Sequence, residues 1–222
     1  MKHWKLMALM AAGLALRLVL MPLPDPYDAD LTTFWLPWMN FGAQHGLAQL
    51  YLHGEPLVNY PPLFMALLTG LGKVDGVLVP GFVYTPLQSV LIKLPAVMAD
   101  LIVGAMLYFA ALRIAAGGPT RNPSGLEDES VSDGSARRPE GFNIALLAAG
   151  LWLFNPAVIY VSSFWAQVDA IHTLWMVAAL LAALSKRWGW SGLLIGLGLL
   201  TKLQAVIILP LWFFAYLFIP PR

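Results

Sequence analysis

Five long runs of apolar residues constrain the fold of this chain more than any other feature of its sequence. They cover about residues 6–22, 88–112, 142–163, 170–184 and 190–219. A helix needs roughly 20 predominantly apolar residues to cross a bilayer. Only 11% of the residues are charged, whereas ordinary soluble domains carry about 25%. The sequence therefore predicts an all-α fold, namely a polytopic bundle of transmembrane helices.

Charge and cysteine content exclude several other classes of protein. The net charge is +1 without a basic tract, which argues against nucleic acid as a partner because phosphate binding needs clustered Lys and Arg. The chain contains no Cys, so disulfides, thiolate catalysis and Cys-ligated zinc are excluded. The sequence also lacks a Gly-rich phosphate loop, a nucleophile elbow and a haem motif.

The positions of Lys and Arg predict the topology in a plasma membrane. Lys2 and Lys5 place the N-terminus in the cytoplasm, and Lys186 with Arg187 mark a later cytoplasmic point. The whole chain is then a single transmembrane domain with these parts: span 1 at about 6–22, an external loop with interfacial helices at 23–87, span 2 at 88–112, a disordered cytoplasmic loop at 113–141, span 3 at 142–163, span 4 at 168–184, and one or two further spans at 190–219.

The last segment has two possible forms. Thr201-Lys-Leu-Gln204 interrupts residues 190–219, and a charged residue at that depth indicates either a tight helical hairpin or one long helix whose Lys202 faces a polar cavity.

The external loop contains aromatic residues at helical spacing. Phe34, Trp38 and Phe41 fall at i, i+4 and i+7, which predicts an amphipathic helix on the membrane surface. The apolar stretch from Leu63 to Leu71 is too short to span, and it follows a Pro61-Pro62 pair that suits a helix start. We expect it to lie flat or to enter the bilayer partway.

Three carboxylates, Asp25, Asp28 and Asp30, follow span 1. A carboxylate held there suits a general base for a sugar hydroxyl, although Asp30 is also placed to cap the next helix, and capping is the commoner role on local sequence alone. The Asp28-Ala-Asp30 pattern also resembles a site for a divalent cation against diphosphate. That signal is weak, and no metal site is assigned.

Five ionisable residues fall at intramembrane positions, where charge is costly and functional roles are common. They are Arg17, Lys93, Asp100, Asp169 and Lys202. Pairing between helices explains such residues about as well as substrate contact does. Asp169 and His172, at i and i+3, form a polar cluster more readily than a metal site, because no other ligand is apparent.

The order of several motifs resembles the GT-C superfamily of membrane glycosyltransferases, which use polyprenyl-phosphate sugars. The first external loop is similar to the bacterial group related to the second mannosyltransferase of GPI-anchor synthesis, and so are the helices that follow. The matching segments are Asp30-Leu-Thr-Thr-Phe-Trp-Leu-Pro-Trp38, Asn59-Tyr-Pro-Pro-Leu-Phe64, Lys93-Leu-Pro-Ala-Val-Met-Ala-Asp-Leu101, Asn155-Pro-Ala-Val-Ile-Tyr160, Phe164-Trp-Ala-Gln-Val-Asp-Ala170 and Thr201-Lys-Leu-Gln-Ala205.

This resemblance implies an inverting hexosyltransferase, most simply a mannosyltransferase, acting on the non-cytoplasmic side. Its general base is Asp30, with Asp28 as the competing position, and its donor is a polyprenyl-phosphate-linked sugar. The acceptor is a glycan or lipid hydroxyl. Six residues are assigned to substrate binding: Tyr60, Gln167, Asp169, Lys202, Gln204 and Arg17. Lys202 is the first candidate for the leaving phosphate, and Arg17 competes with it.

Members of that group are usually about twice as long, so we expect a truncated chain or one that needs a partner.

Two other functions remain open. A non-catalytic membrane scaffold or subunit that binds lipid-linked sugar would use the same fold without the base. A small transporter would depend on Asp100 or Asp169 and not on Asp30, but no inverted repeat supports it.

Overall fold

The described part of the chain is mainly helical. The computed structural model describes residues 3–24, 30–79, 84–116 and 134–218, without the side chains of residues 116 and 134–140. It contains ten α-helices: α1 Trp4–Leu20, α2 Leu36–His45, α3 Leu47–His53, α4 Pro62–Leu78, α5 Pro86–Ala116, α6 Gly134–Leu153, α7 Pro156–Ile159, α8 Asp169–Leu184, α9 Trp188–Thr201 and α10 Ile208–Phe218. No strand occurs within these ranges, so the predicted all-α class is confirmed.

One described helix is long and apolar enough by itself to cross a membrane. It comprises residues 86–115 of α5. Residues 141–153 and 156–164 form a pair bent by 46°, which counts as a second span if the pair crosses as one unit. The apolar helices at 169–184, 188–201 and 203–218 are shorter. A bundle with more than two spans therefore stays a prediction.

The helix ends differ from the predicted boundaries around the cytoplasmic loop, and they also show the form of the last segment. The cytoplasmic loop predicted at 113–141 is shorter, because residues 113–116 continue α5 and residues 134–141 already belong to α6. Residues 117–133 lie outside the described part. Residues 188–218 do not form one long helix, because α9 ends at Thr201 and Lys202 adopts an extended conformation before the 3-10 turn Leu203–Ile207.

The aromatic residues of the first loop lie in a packed core. Asp30–Trp35 forms a π-helical turn that leads into α2, and α2 packs along α4. Trp35 and Trp38 are buried, and the indole of Trp38 donates a 2.6 Å hydrogen bond to the carbonyl of Pro56. The aromatic face of the predicted amphipathic helix therefore packs against α4, and its position on a membrane surface stays a prediction.

Two buried cations join α1 to its neighbours. Arg17 donates to Asp100 of α5, with both contacts at 3.3 Å, and to the carbonyl of Leu153 at 2.9 Å. Lys93 of α5 donates to the carbonyls of Met21 and Leu23, at 3.0 and 2.8 Å. The side chains of Arg17, Lys93 and Asp100 are fully buried. Both cations therefore satisfy carbonyls near helix ends that have no partner within their own helix.

Candidate functional site

Asp30 stands where the first loop meets the turn before α8. It is half-buried at the start of the π-helical turn, and Gln167 Nε2 donates a hydrogen bond to its Oδ2. The two residues are 137 positions apart in the chain. The fold thus holds this carboxylate in place from outside its own loop.

The backbone before Gln167 is tightly turned. Ala166 has a φ of 63°, a left-handed conformation that is uncommon for residues other than glycine, and the Gln167 amide donates to the Val161 carbonyl at 2.9 Å. The turn presents the Gln167 side chain to Asp30. Local backbone strain of this kind often accompanies functional sites.

An ion pair lies two residues further along the chain. Lys202 Nζ donates to Asp169 Oδ1 at 2.6 Å, and His172 Nδ1 lies 3.6 Å from the same oxygen. The Asp169 side chain is 38% exposed whereas that of Lys202 is 11% exposed, so the carboxylate is the accessible member. Lys202 reaches it because α9 breaks at this residue.

Tyr60 lies within electrostatic range of the two carboxylates. Its ring packs edge-on against Trp35, with centroids 5.0 Å apart, and lies 5.4 Å from the ring of Phe64. Burial, then the charges of Asp169 and Asp30, raise the pKa of the Tyr60 hydroxyl to about 12. At neutral pH this phenol is protonated and can donate a hydrogen bond.

The structure therefore brings together five of the predicted site residues, which we call the Asp30 cluster: Asp30, Tyr60, Gln167, Asp169 and Lys202. Arg17 is not among them, because it is buried against Asp100 and Leu153, and this position favours a structural role over the predicted substrate role. Gln204 is exposed in the 3-10 turn without a described contact to the cluster. Asp28 lies outside the described residues.

Three neighbours of the cluster were not assigned to the site from the sequence. Trp35 and Phe64 form an aromatic wall against Tyr60, and in the sequence they were noted only as parts of the matching motifs. His172 Nδ1 is buried without a hydrogen-bond partner. The described residues contain no group of three or more His, Asp or Glu residues that could hold a metal ion.

The fold and the cluster define a helical protein that combines at least one helix suited to a membrane with a polar site built from distant segments. A family model described as GPI transamidase subunit PIG-U matches residues 40–219. The match covers most of the chain, so the protein belongs to this family. Comparison with curated proteins and with solved structures gave no match.

The family assignment supports the coarser part of the resemblance drawn from the motifs. The expected connection with GPI-related machinery is confirmed, but the matched family is named for a transamidase subunit and not for a mannosyltransferase. The matched range begins after Asp30 and includes the other four members of the Asp30 cluster.

Proposed function

We propose that this protein is an integral membrane hexosyltransferase that moves mannose from a polyprenyl-phosphate donor to an acceptor hydroxyl on the non-cytoplasmic side. The observation that carries the proposal is the Asp30 carboxylate, which Gln167 holds beside Tyr60 and the Asp169–Lys202 pair. A base fixed from two distant segments is suited to receive a proton in one defined direction.

In the proposed reaction, Asp30 accepts the proton of the acceptor hydroxyl while the hydroxyl oxygen forms a bond to the anomeric carbon of mannose. The bond from that carbon to the phosphate oxygen breaks, and polyprenyl phosphate leaves from the opposite face, so the anomeric configuration inverts. Gln167 orients the base by donating to its Oδ2. Tyr60, which stays protonated at neutral pH, can donate to a sugar hydroxyl.

Lys202 is the proposed partner of the leaving phosphate. One of its N–H groups is directed to Asp169, and an ammonium group has three donors. The cluster contains two carboxylates, Asp30 and Asp169, and one ammonium group, that of Lys202. Its net negative charge favours the binding of a neutral sugar over the binding of a free anion. A divalent cation that accompanies the phosphate would reverse this balance, and dependence of transfer on Mg²⁺ or Mn²⁺ would reveal it.

The test is transfer of radiolabelled mannose from polyprenyl-phosphate-mannose in membranes that contain the chain. Asp30→Asn keeps the size of the side chain and removes the base, so it should abolish transfer. Glu55→Gln is the matched control, because Glu55 is an exposed carboxylate of the same loop. Digestion of the product with anomer-specific mannosidases should show inversion. Transfer by Asp30→Asn at the wild-type rate would refute the proposal.

A second candidate is a non-catalytic subunit that binds lipid-linked sugar. The family description favours it, since that description names a subunit, and the match begins after the proposed base. This function predicts that wild type and Asp30→Asn bind polyprenyl-phosphate-mannose equally well and that neither transfers mannose. Binding without transfer in the wild type would select the subunit.

The remaining proposals concern location. We place the chain in the plasma membrane with a cytoplasmic N-terminus, because this orientation puts the Asp30 cluster on the external side. Labelling by an impermeant reagent of a Cys introduced at exposed Glu55 would test the orientation. The chain has no native Cys to interfere.

A further inference from the structure

A buried carboxylate joins the end of α4 to the start of α5. Asp75 lies in the last turn of α4 and is fully buried. Gln88 of α5 is also fully buried, and its Nε2 donates a 2.5 Å hydrogen bond to Asp75 Oδ2. The other carboxylate oxygen, Oδ1, is buried without a hydrogen-bond partner in the part of the chain that the structure describes. A bound ion is one physical reason for such an atom.

Among the described residues, no basic side chain pairs with Asp75. The ion pairs within the described ranges involve Asp100 and Asp169. A carboxylate in the last turn of a helix also lies at the negative end of the helix dipole, and the last turn of α4 contains no basic residue. Because burial of a charge is costly, buried charges are normally paired or bound to a metal ion. A cation at Oδ1 would remove both costs.

A second oxygen without a partner lies at the same junction. Thr85 directly precedes α5, and its amide donates to Gln88 Oε1 at 3.1 Å. In a complete capping box the Thr85 hydroxyl would accept a bond from the Gln88 amide in return. The Gln88 amide instead donates to the Thr85 carbonyl at 3.1 Å, and Thr85 Oγ1 is buried without a partner among the described residues. Since Gln88 contacts both residues, it keeps both oxygens at one junction.

We propose that Asp75 and Thr85 bind a sodium ion between α4 and α5. Its ligands are Asp75 Oδ1 and Thr85 Oγ1, and the carbonyls of the last turn of α4, which lack partners within their own helix, complete the shell. Oxygen atoms are the ligands that hard cations prefer. Helix C-terminal ends coordinate Na⁺ in other membrane proteins. The ion fastens the first loop to α5, and the inference does not depend on the proposed function.

The charge of the junction favours a monovalent ion. Its described contacts include one carboxylate, that of Asp75, which a single positive charge neutralises. A divalent ion would leave a net charge in a buried place, which is costly. The neighbouring residues Lys73, Val74 and Tyr84 are exposed, so the junction lies near the surface and an ion from the external solution can reach it.

Binding of radiolabelled sodium to the purified protein in detergent micelles tests the proposal. Choline replaces sodium at constant ionic strength, and a scintillation proximity assay reports the bound label. We expect saturable binding of a single ion per chain. Asp75→Asn keeps an acceptor for Gln88 and removes the charge, so it should lose the binding. Thr85→Val should weaken it and Thr85→Ser should restore it. Glu55→Gln, which changes an exposed carboxylate of the first loop, is the matched control and should bind as wild type does.

The melting temperature gives a second readout. Sodium should raise it relative to choline in wild type and in Glu55→Gln, but not in Asp75→Asn. Equal melting in sodium and choline, or equal sodium binding by wild type and Asp75→Asn, overturns the proposal, because Asp75 would then be neutralised by a proton. Displacement of the label by calcium at lower concentration than by unlabelled sodium overturns the monovalent assignment. If Asp75→Asn does not fold, as judged by gel filtration, Thr85→Val decides: unchanged binding overturns the site and weakened binding supports it.

Discussion

Replacement of Arg17 by Met should destabilise the protein strongly. The guanidinium donates four hydrogen bonds, two to Asp100 Oδ2 and one each to the carbonyls of Gly13 and Leu153. Both charged side chains are fully buried. Removal of Arg17 leaves an uncompensated carboxylate and a bare carbonyl at the end of α6, and breaking a buried ion pair costs about 3–5 kcal/mol.

The expected loss can be measured as a shift in melting temperature. A change of 1 kcal/mol shifts the melting temperature of a chain this size by about 2–4 °C, so Arg17→Met should melt roughly 6–20 °C below wild type, given the cost of about 3–5 kcal/mol. Tryptophan fluorescence in detergent micelles reports the transition. Arg113→Met is the control, because Arg113 is exposed near the end of α5, and it should change stability by less than about 0.5 kcal/mol.

The double variant separates charge from packing. In Arg17→Met with Asp100→Leu, no buried charge remains at this position, and replacing a buried pair by apolar residues is often neutral. We expect it to recover most of the loss, with about 1 kcal/mol remaining for the Leu153 carbonyl. A single variant as stable as wild type, or a double variant no better than the single one, would refute the structural role assigned to Arg17.

Two further predictions concern the first loop. The hydroxyl of Tyr60 should ionise near pH 12, so the tyrosinate absorbance step that Tyr60→Phe removes should lie near pH 12 and move to lower pH in Asp169→Asn. Because the pKa in the folded state exceeds the usual value of about 10, the free energy of unfolding should fall as pH rises from about 10 to 12. An absorbance step near pH 10 would contradict the raised pKa. Gly72→Ala places a Cβ against the Met39 carbonyl and should cost about 1–3 kcal/mol, whereas Gly70→Ala, with open space around it, should be neutral or stabilising in the same melting experiment.

The long apolar helices were predictable because the pattern that specifies them is local in the sequence. The apolar run at 170–184 matches α8 within a residue, and the polar Thr201-Lys-Leu-Gln204 segment marks the break after α9. Such patterns reflect the local environment of each residue in an apolar solvent. The break at Asn155-Pro156 was not predicted, because a single Pro in an apolar run is also compatible with an uninterrupted span.

The partners of the charged residues could not be predicted. Lys93 and Asp100 are seven residues apart and so share one face of α5. Asp100 nevertheless contacts Arg17 within α1, whereas Lys93 contacts carbonyls that follow α1, and the choice depends on how the helices pack. The same limit applies to the bond between Gln167 and Asp30. Only the motif resemblance suggested that residues so far apart share a site, and composition alone gave no such indication.

Single-turnover mannose transfer, measured together with donor binding, tests the central claim most directly. Wild type and Asp30→Asn are compared in the same membranes at saturating polyprenyl-phosphate-mannose. Loss of a positioned base should lower transfer by about 10²–10⁴ and leave donor binding within about twofold, because Asp30 acts on the acceptor hydroxyl. Transfer that persists in Asp30→Asn, or that disappears only because the donor no longer binds, would contradict the assignment of Asp30 as the base.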